Sequence, residues 1–377
     1  MINIILIISV FSIFYSYFGY PLSLYIISLI RIIHHEKKII YPHVSIIVTA
    51  FNEKERIREK IENILSIAYP KNKLEIIIAS DGSTDGTNEI ISSYVGKGIH
   101  LLPIPIRGGK ERAQKKAVRR SKGEILVFSD VSTMIEPSSI EQIVSNFADP
   151  EVGCVSSRDL LIDPNGKPGG ESFYVRYEMW LRRLESRVSS LVGLSGSFFA
   201  ARRVVCEDFA EDLDSDFRTL LNSVKAGKRG IIDPMAIGYY RDISDPRKEF
   251  DRKVRTVLRG ITVFFLNMEF LNIFKYGLFS YQYFCHKLLR WLVPLFMIIS
   301  LLAIAIMSFN SSAYLIIFLI MCALLSYYLL LHYNITRNPI NIMMVPVYFI
   351  MVNMSILTAW WKYLNNERVT VWDPTKR

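Results

Sequence analysis

The chain of 377 residues carries a formal net charge of +10, and 51% of its residues are hydrophobic, a high share for a soluble protein. The apolar residues are concentrated in residues 1–31 and again between about Trp291 and Trp361, which predicts membrane segments on either side of one more polar domain. The basic charge fits the cytoplasmic loops of a membrane protein, and the sequence contains no base-reading or stacking module, so we do not expect nucleic acid as a partner.

The four cysteines lie far apart, with no Cys-x-x-Cys pair and no histidine at metal-ligand spacing. They are Cys154, Cys206, Cys285 and Cys322. This pattern predicts packing roles for all four and gives no indication of zinc, iron or a disulfide framework.

The amino-terminal segment contains no charged side chain before Arg31. A secretory signal would have a basic start, a shorter apolar core and a cleavage site with small residues, whereas residues 1–31 are long enough to span a bilayer. Basic residues follow it directly, Lys37 and Lys38 among them. The positive-inside rule therefore predicts a transmembrane anchor and basic linker over residues 1–40, followed by a cytoplasmic domain.

Short β-rich runs then alternate with amphipathic segments. The predicted strands are His43–Ala50, Leu74–Ala79, Ile99–Ile104 and Glu124–Phe128, and the helices between them are Glu53–Ser66, Asp85–Val95 and Lys110–Ser121. Strict alternation of strand and helix predicts an α/β domain with a mostly parallel sheet covered by helices on both faces. We place this domain at residues 41–260.

The second half of the chain is less regular. Its predicted helices are Glu171–Val192 and Asp216–Ala226 in the domain, and Trp291–Phe309, Ala313–Tyr333 and Ile342–Trp361 as membrane spans. The run Ile261–Lys287 mixes aromatic and charged residues and is too polar to span, so we predict amphipathic helices at the membrane surface over residues 261–289. Residues 290–377 are predicted to form the carboxy-terminal transmembrane helices and a tail. The basic residues near the end of the sequence favour the inside, so one apolar segment, the last in the first place, could be re-entrant or interfacial instead of spanning.

Polar residues follow the predicted strands at their carboxyl ends, where ligands bind in open parallel sheets. They are Asn52, Glu53, Asp81, Asp130 and Ser132. Any one of them could be a turn residue or a helix cap. Three acidic positions on one rim, with Lys110 and a basic helix beside them, instead suit a divalent cation that bridges a diphosphate.

These residues together resemble glycosyltransferase family 2 over about 220 residues, from Val44 to Gly260, and the matching segments follow the order of the family's motifs. The segments are Ala50–Glu53 (AFNE), Ser80–Asp85 (SDGSTD), Gly109–Lys110, Phe128–Ser132 (FSDVS), Gly193–Ala201 (GLSGSFFAA) and Ser215–Phe217 (SDF). The resemblance implies a GT-A-like, Rossmann-like fold and a membrane-bound enzyme of the polysaccharide or cell-envelope type.

The resemblance also implies roles for individual residues. Asp216 would be the catalytic base, and Asp130 with Ser132 would hold Mg²⁺ or Mn²⁺. The implied substrate-binding residues are Asn52, Glu53, Asp81, Lys110, Gly196, Arg252 and Arg255. Among these, Asp81 would bind the nucleotide base, and Gly196 lies in the loop that would line the acceptor side.

Three departures from the family pattern affect these expectations. Ser132 stands where the family often has a second aspartate, and Ser215 replaces the first acid of an acidic pair. The Gln-x-x-Arg-Trp motif of processive synthases is absent, and the run Arg252–Arg255 takes its place. These arginines could clamp the donor diphosphate or contact lipid headgroups, and the sequence leaves both roles open.

The activity implied by the resemblance is inverting transfer of a hexosyl group from a nucleoside-diphosphate sugar, in the first place a UDP-sugar, to a polysaccharide or lipid-linked acceptor. The residues allow this chemistry, because the acceptor hydroxyl must lose a proton and the carboxylate of Asp216 could take it. Charge develops on the leaving diphosphate, which a cation at Asp130 would stabilise.

Two alternatives remain open. One is a polyprenyl-phosphate sugar transferase, whose phosphate nucleophile needs no base. The other is a non-catalytic membrane scaffold that binds nucleotide sugar without turnover, which the serines at positions 132 and 215 keep open.

Overall fold

The computed structural model describes residues 1–162, 173–209, 214–241, 246–333 and 343–368. These residues divide into two compact units. The helical unit lies within Met1–Ser23 and Ile243–Val369, and the sheet unit lies within Leu24–Asp242. The predicted tail beyond residue 368, and the first residues of the helices predicted to start at Glu171 and Ile342, lie outside the described residues.

The sheet unit contains one mixed sheet. Among the described residues its strands are β1 Val44–Ala50, β2 Leu74–Asp81, β3 Ile99–Ile104, β4 Ile125–Asp130, β5 Thr133–Ile135, β6 Val152–Ile162, β7 Phe198–Arg202 and β8 Arg229–Arg241, in the spatial order β3-β2-β1-β4-β7-β6-β8-β5. The first four of that order are parallel, as is the pair β6–β8. β7 runs antiparallel to β4 and β6, and β5 runs antiparallel to β8.

The α-helices in the described part of the chain surround this sheet or form the helical unit. They are α1 Ile2–Phe14, α2 Tyr20–Ile30, α3 Ile57–Leu65, α4 Thr87–Ser92, α5 Lys110–Arg120, α6 Ser139–Ser145, α7 Phe173–Val188, α8 Ser215–Lys225, α9 Pro246–Leu266, α10 Ile273–Tyr276, α11 Leu278–Tyr283, α12 Arg290–Ser308, α13 Ser312–His332 and α14 Met344–Leu364. Segments of π-helix at Tyr15–Gly19 and Phe284–Leu289 join α1 to α2 and α11 to α12.

The central strand β1 is buried at every position because helices cover both faces of the sheet. Its side chains alternate between the faces. Ile46 packs in the same buried cluster as Ile61 of α3, and Ile47 packs in the cluster that contains Ala113 of α5. This confirms the predicted α/β class with a mostly parallel sheet and helices on both faces.

The strands β5–β8 were not individually predicted. β6 pairs with β8 through register shifts after Val152 and Ser156, and such irregularities break the simple alternation from which a strand is recognised in a sequence. The first helix of the sheet unit after β1 begins later than predicted, since α3 starts at Ile57 rather than Glu53. The residues directly after β1 form a turn instead, in which Asn52 has a φ of +49°.

The predicted basic linker packs on the sheet unit. The amide of Ile33 donates to the carbonyl oxygen of Arg187 at 2.9 Å, and the ammonium of Lys37 pairs with the carboxylate of Asp233 at 2.8 Å. The segment after the first apolar helix therefore belongs to the sheet unit, within the range Leu24–Asp242.

Four helical stretches of the described residues are long and apolar enough to cross a membrane. They are Ile2–Ile30, Leu278–Ser308, Ser312–His332 and Met344–Leu364. The second stretch starts at Leu278, inside the segment 261–289 that the sequence predicts to lie at the membrane surface. The apolar helix therefore begins earlier in the structure than the sequence analysis expects. Two polar side chains there have partners within the helical unit: the Tyr281 hydroxyl lies 2.8 Å from that of Tyr15, and the Arg290 guanidinium stacks over Tyr17. Such pairing lowers the cost of polar groups in an apolar span.

A glycine substitution tests the packing of the parallel core. A Cβ added at Gly123 would lie 2.4 Å from the backbone nitrogen of Ser45, whereas one added at Gly96 has no heavy atom within 4 Å. We expect Gly123→Ala to lower the free energy of unfolding by about 1–3 kcal/mol, the usual cost of overpacking, and to lower the thermal unfolding midpoint of the purified chain by several degrees. Gly96→Ala is the matched control, and a midpoint that falls equally in both variants would contradict the packing described.

Candidate active site

Three neighbouring strands deliver polar residues to one edge of the sheet. β2 ends at Asp81 and β4 ends at Asp130, on opposite sides of β1. Thr49 of β1 is in register with Asp130, and Ala50 is in register with Ser80. The carboxyl ends of β1, β2 and β4 therefore bring together the rim that the sequence predicts.

The residues that follow β1 connect two loops of this rim. The side-chain oxygen of Asn52 accepts a hydrogen bond from the Thr84 amide at 2.9 Å. Glu53 is buried and accepts two hydrogen bonds from Arg56, at 2.7 and 2.9 Å. Burial nevertheless outweighs Arg56 and raises the pKa of the Glu53 carboxyl. Both side chains fix loop geometry, and their predicted contacts with a nucleotide stay a prediction.

Asp81 is buried, and its carboxylate holds the loop before α5. It accepts hydrogen bonds from the amides of Gly108 at 3.0 Å and Gly109 at 2.7 Å. Gly109 has a φ of +96°, a conformation in which a side chain would be strained. This interaction fixes the start of α5 and thereby the position of Lys110. A carboxylate has about four acceptor positions, so these hydrogen bonds do not by themselves prevent Asp81 from binding a nucleotide base. That base-binding role stays a prediction.

Lys110 lies between the two sides of the site. Its ammonium is 2.5 Å from Oδ1 of Asp130 and donates to the carbonyl oxygen of Gly196 at 3.0 Å. Burial disfavours the ammonium, but Asp130, Glu111 and Asp216 outweigh it and raise the pKa of Lys110. The lysine therefore carries its positive charge at neutral pH.

Asp216 reaches the same place from the other half of the sheet unit. It lies in the first turn of α8, and its Oδ1 accepts a hydrogen bond from the Phe217 amide at 2.9 Å. A Cβ at position 196 would lie 2.9 Å from Asp216 Oδ2, so the absence of a side chain at Gly196 makes room for the carboxylate. The structure thus brings together four predicted site residues: Lys110, Asp130, Gly196 and Asp216.

The described residues contain no cluster of three or more His, Cys, Asp or Glu side chains that could hold a metal ion. Mg²⁺ commonly takes only one or two protein carboxylates, with water and substrate phosphates completing its shell. Asp130 ends β4 and Ser132 lies two residues later, in the turn before β5, so the chain offers that smaller donor set here, and the metal-binding role of both residues stays a prediction.

The two predicted arginines belong to the helical unit. Arg252 and Arg255 both lie on α9, and the Arg252 guanidinium donates to the Glu249 carboxylate at 2.7 and 2.8 Å. Burial would raise the pKa of Glu249, but Arg252 and Lys253 outweigh it and hold that pKa below its usual value. The role predicted for Arg252 and Arg255 in binding a diphosphate stays a prediction.

The sequence analysis missed two residues that support the site. Lys60 is fully buried beneath the turn after β4. Its helical spacing with Ile57, Ile61 and Ile64 places it on the buried face of α3, and a lysine in that stripe was the available signal. Asp159 on β6 is the second, and it holds the Gly196 loop.

Asp159 accepts hydrogen bonds from three serine hydroxyls. Ser157 and Ser197 lie at 3.1 and 2.9 Å, and Ser195 bonds to the other carboxylate oxygen. Burial raises the pKa of Asp159. No pattern of spacing in the sequence links β6 to this loop, so only the fold could show the connection.

Comparison with known proteins gives a family match for part of the sheet unit. Residues 45–209 match the profile of the Glycosyl transferase family 2. Similar proteins include Glycosyltransferase AglE of Haloferax volcanii, 29% identical over 35% of this chain and 44% of that protein, and Beta-monoglucosyldiacylglycerol synthase of Nostoc sp., 26% identical over 50% of this chain and 44% of that protein. The chain thus spans less than half the length of these relatives.

A solved structure resembles the whole chain. The mannosyltransferase PcManGT from Pyrobaculum calidifontis, in complex with GDP-Man and Mn²⁺, is 21% identical, with a TM-score of 0.76 over 98% of this chain and 100% of that one. At this identity the likeness shows the fold, and it confirms the GT-A-like architecture expected from the sequence. Residues 45–209 therefore form a glycosyl transferase family 2 domain on a GT-A fold, in a chain that also contains candidate membrane-spanning helices.

Proposed function

We propose that the chain is a membrane-bound, inverting glycosyltransferase that transfers a hexosyl group from a nucleoside-diphosphate sugar, in the first place a UDP-sugar. The observation that carries this proposal is the convergence of Asp130, Lys110 and Asp216 at the carboxyl ends of the strands. One carboxylate and one ammonium suit a diphosphate, and a second carboxylate suits proton removal from an acceptor.

The acceptor hydroxyl becomes a nucleophile as it loses its proton. Asp216 is the proposed general base, because its carboxylate lies beside Gly196 in the loop assigned to the acceptor side. Attack from the face opposite the diphosphate inverts the anomeric carbon in one step. No second carboxylate nucleophile is needed for this route, in contrast to a retaining mechanism with a covalent intermediate.

The leaving diphosphate gains negative charge in the transition state. Lys110 is a fixed cation whose pKa is raised, so it can stabilise that charge without gaining a proton. When bound at Asp130 and Ser132, Mg²⁺ or Mn²⁺ would supply Lewis-acid stabilisation of the phosphates. Asn52, Glu53 and Asp81 are the proposed nucleotide side of the site, and Arg252 and Arg255 are proposed to bind the diphosphate.

The acceptor is proposed to be a polysaccharide or a lipid-linked sugar. Relatives support this class by name, as a Beta-monoglucosyldiacylglycerol synthase and a Poly-beta-1,6-N-acetyl-D-glucosamine synthase. The proposed location is the cell membrane with several spans and a cytoplasmic sheet unit, because Arg31, Lys37 and Lys38 directly follow the first span.

Turnover of a donor tests the proposed activity. The purified full chain, supplied with UDP- and GDP-sugars and its own membrane extract, should release nucleoside diphosphate from at least one donor in the presence of Mg²⁺ or Mn²⁺. Asp130→Asn, which removes the charge at the rim, should lower that turnover by about 100-fold or more. No release from any donor would favour a nucleotide-sugar-binding scaffold, and full turnover in Asp130→Asn or in chelator would contradict the metal role.

A second variant separates the general base from its surroundings. Asp216→Asn keeps the shape of the side chain but cannot accept the proton, so turnover should fall by about 100-fold or more while donor affinity stays near that of the wild type. Asp208→Asn is the matched control, because Asp208 is 88% exposed and contacts Arg218 of α8 outside the site. Normal turnover in Asp216→Asn would instead favour a phosphate acceptor, which needs no base.

A further inference from the structure

Helix α3 supports the turn between β4 and β5 from inside the protein. Residues 129–133 contain this turn with the adjoining ends of both strands, and they include Asp130 and Ser132. The Lys60 side chain projects from α3 with no exposed surface, and its Nζ donates to the Ser129 hydroxyl at 2.8 Å and to the Thr133 carbonyl oxygen at 2.5 Å. One nitrogen therefore joins both ends of the turn.

The link continues to the backbone of Asp130. The Ser129 hydroxyl, which accepts from Lys60, donates to the carbonyl oxygen of Asp130 at 3.3 Å. On the other side, the Asp130 amide donates to the Ser197 carbonyl oxygen at 3.0 Å. The backbone of Asp130 is thus held from both sides, and its carboxylate is left to Lys110.

A second residue on the same face of α3 fixes the next strand. Asn63, three residues after Lys60, donates to the Ile135 carbonyl oxygen and accepts from the Ile135 amide, each at 2.8 Å. The Asn63 side chain therefore bonds to both backbone groups of Ile135, as the backbone of a neighbouring strand would. Lys60 and Asn63 together attach the whole segment from Ser129 to Ile135 to one helix.

Burying an amine without a carboxylate partner is costly, which indicates that Lys60 has a role that an apolar residue could not fill. Burial lowers the pKa of Lys60 to about 7, although the Asp130 charge acts in the opposite direction. A protonated lysine has three donors and a neutral one has two. Both described hydrogen bonds can therefore be made in either protonation state, so the link depends on geometry rather than on charge.

We propose that Lys60 is a positioning residue that fixes the turn of Asp130 and Ser132 for a divalent cation and the donor diphosphate. This inference rests on the proposed function for its catalytic consequence. The positioning itself rests only on the contacts of Lys60 with Ser129 and Thr133. It predicts that loss of the amine loosens the turn and weakens cation binding before it affects the chemical step.

Lys60→Met tests this role because methionine is apolar, fills a similar volume and cannot donate hydrogen bonds. The matched control is Arg202→Met, since Arg202 also donates to backbone carbonyl oxygens, those of Phe147, Asp149 and Val152, all at 2.8 Å. Arg202 is in register with Ile125 at the opposite end of β4 from Asp130. Arg202→Met therefore shows the effect of losing a cation that supports the backbone at a position away from the site.

Two measurements on the full chain read out the result. Amide hydrogen exchange of the peptide covering residues 129–135 should accelerate in Lys60→Met and not in Arg202→Met. Affinity for Mn²⁺, measured by direct titration with nucleoside diphosphate present, should fall about tenfold or more in Lys60→Met, a typical loss when a residue supporting a metal ligand is removed. In turnover assays, the Mn²⁺ concentration that gives half the maximal rate should rise by a larger factor than the factor by which the rate at saturating Mn²⁺ falls.

The outcomes separate the two proposals. Unchanged exchange over residues 129–135 in Lys60→Met would overturn the positioning role, as would an equal loss of Mn²⁺ affinity in Arg202→Met. Accelerated exchange in Lys60→Met, in a protein whose wild type binds no Mn²⁺, would support the positioning of the turn and count against the proposed metal-dependent function instead.

Discussion

The central strands of this protein are covered on both faces, and this constraint decides where chemistry can occur. Every residue of β1 is buried, and a polar side chain on either face loses its hydration and must find a partner inside the protein, as Ser45 does in the Glu75 carboxylate. Polar groups that stay open to a ligand can then collect only where the strands end. Asp81 and Asp130 lie at such ends, with β1 between them. The site is therefore a consequence of the packing that stabilises the sheet.

Lys110 connects the pieces that meet at this edge. Asp81 fixes the loop before α5 through the amides of Gly108 and Gly109, and α5 then begins with Lys110. The lysine bonds to Asp130 on β4 and to the carbonyl oxygen of Gly196 in the loop next to Asp216. A single cation thus compensates carboxylates that come from distant parts of the chain. Without it, two like charges would lie uncompensated in a partly buried site.

Each half of the site is supported by a different buried polar residue. Asp130 is held through Lys60 and Ser129 from α3, whereas the Gly196 loop is held by Asp159 and its serine hydroxyls from β6. Both supports are buried polar groups, which are costly unless their hydrogen bonds are made. Such groups restrict the backbone to one arrangement, and the proposed binding of a diphosphate and a hydroxyl side by side would benefit from that restriction.

The sequence by itself determined the class of fold, the candidate membrane helices and the resemblance to glycosyl transferase family 2, because these depend on local patterns. Hydrophobic runs of fixed period marked β1, β2 and β4, and motifs directly after them located Asn52, Asp81 and Asp130. The tertiary structure alone decided how the second half of the sheet is ordered, since β6, β7 and β8 pair across long separations and include register shifts. It also decided that Asp216 lies beside Gly196, and that Lys60 and Asp159 support the site. Contacts between residues far apart in the chain leave no periodic trace in a single sequence, because the chain's path, and not local spacing, brings their side chains together.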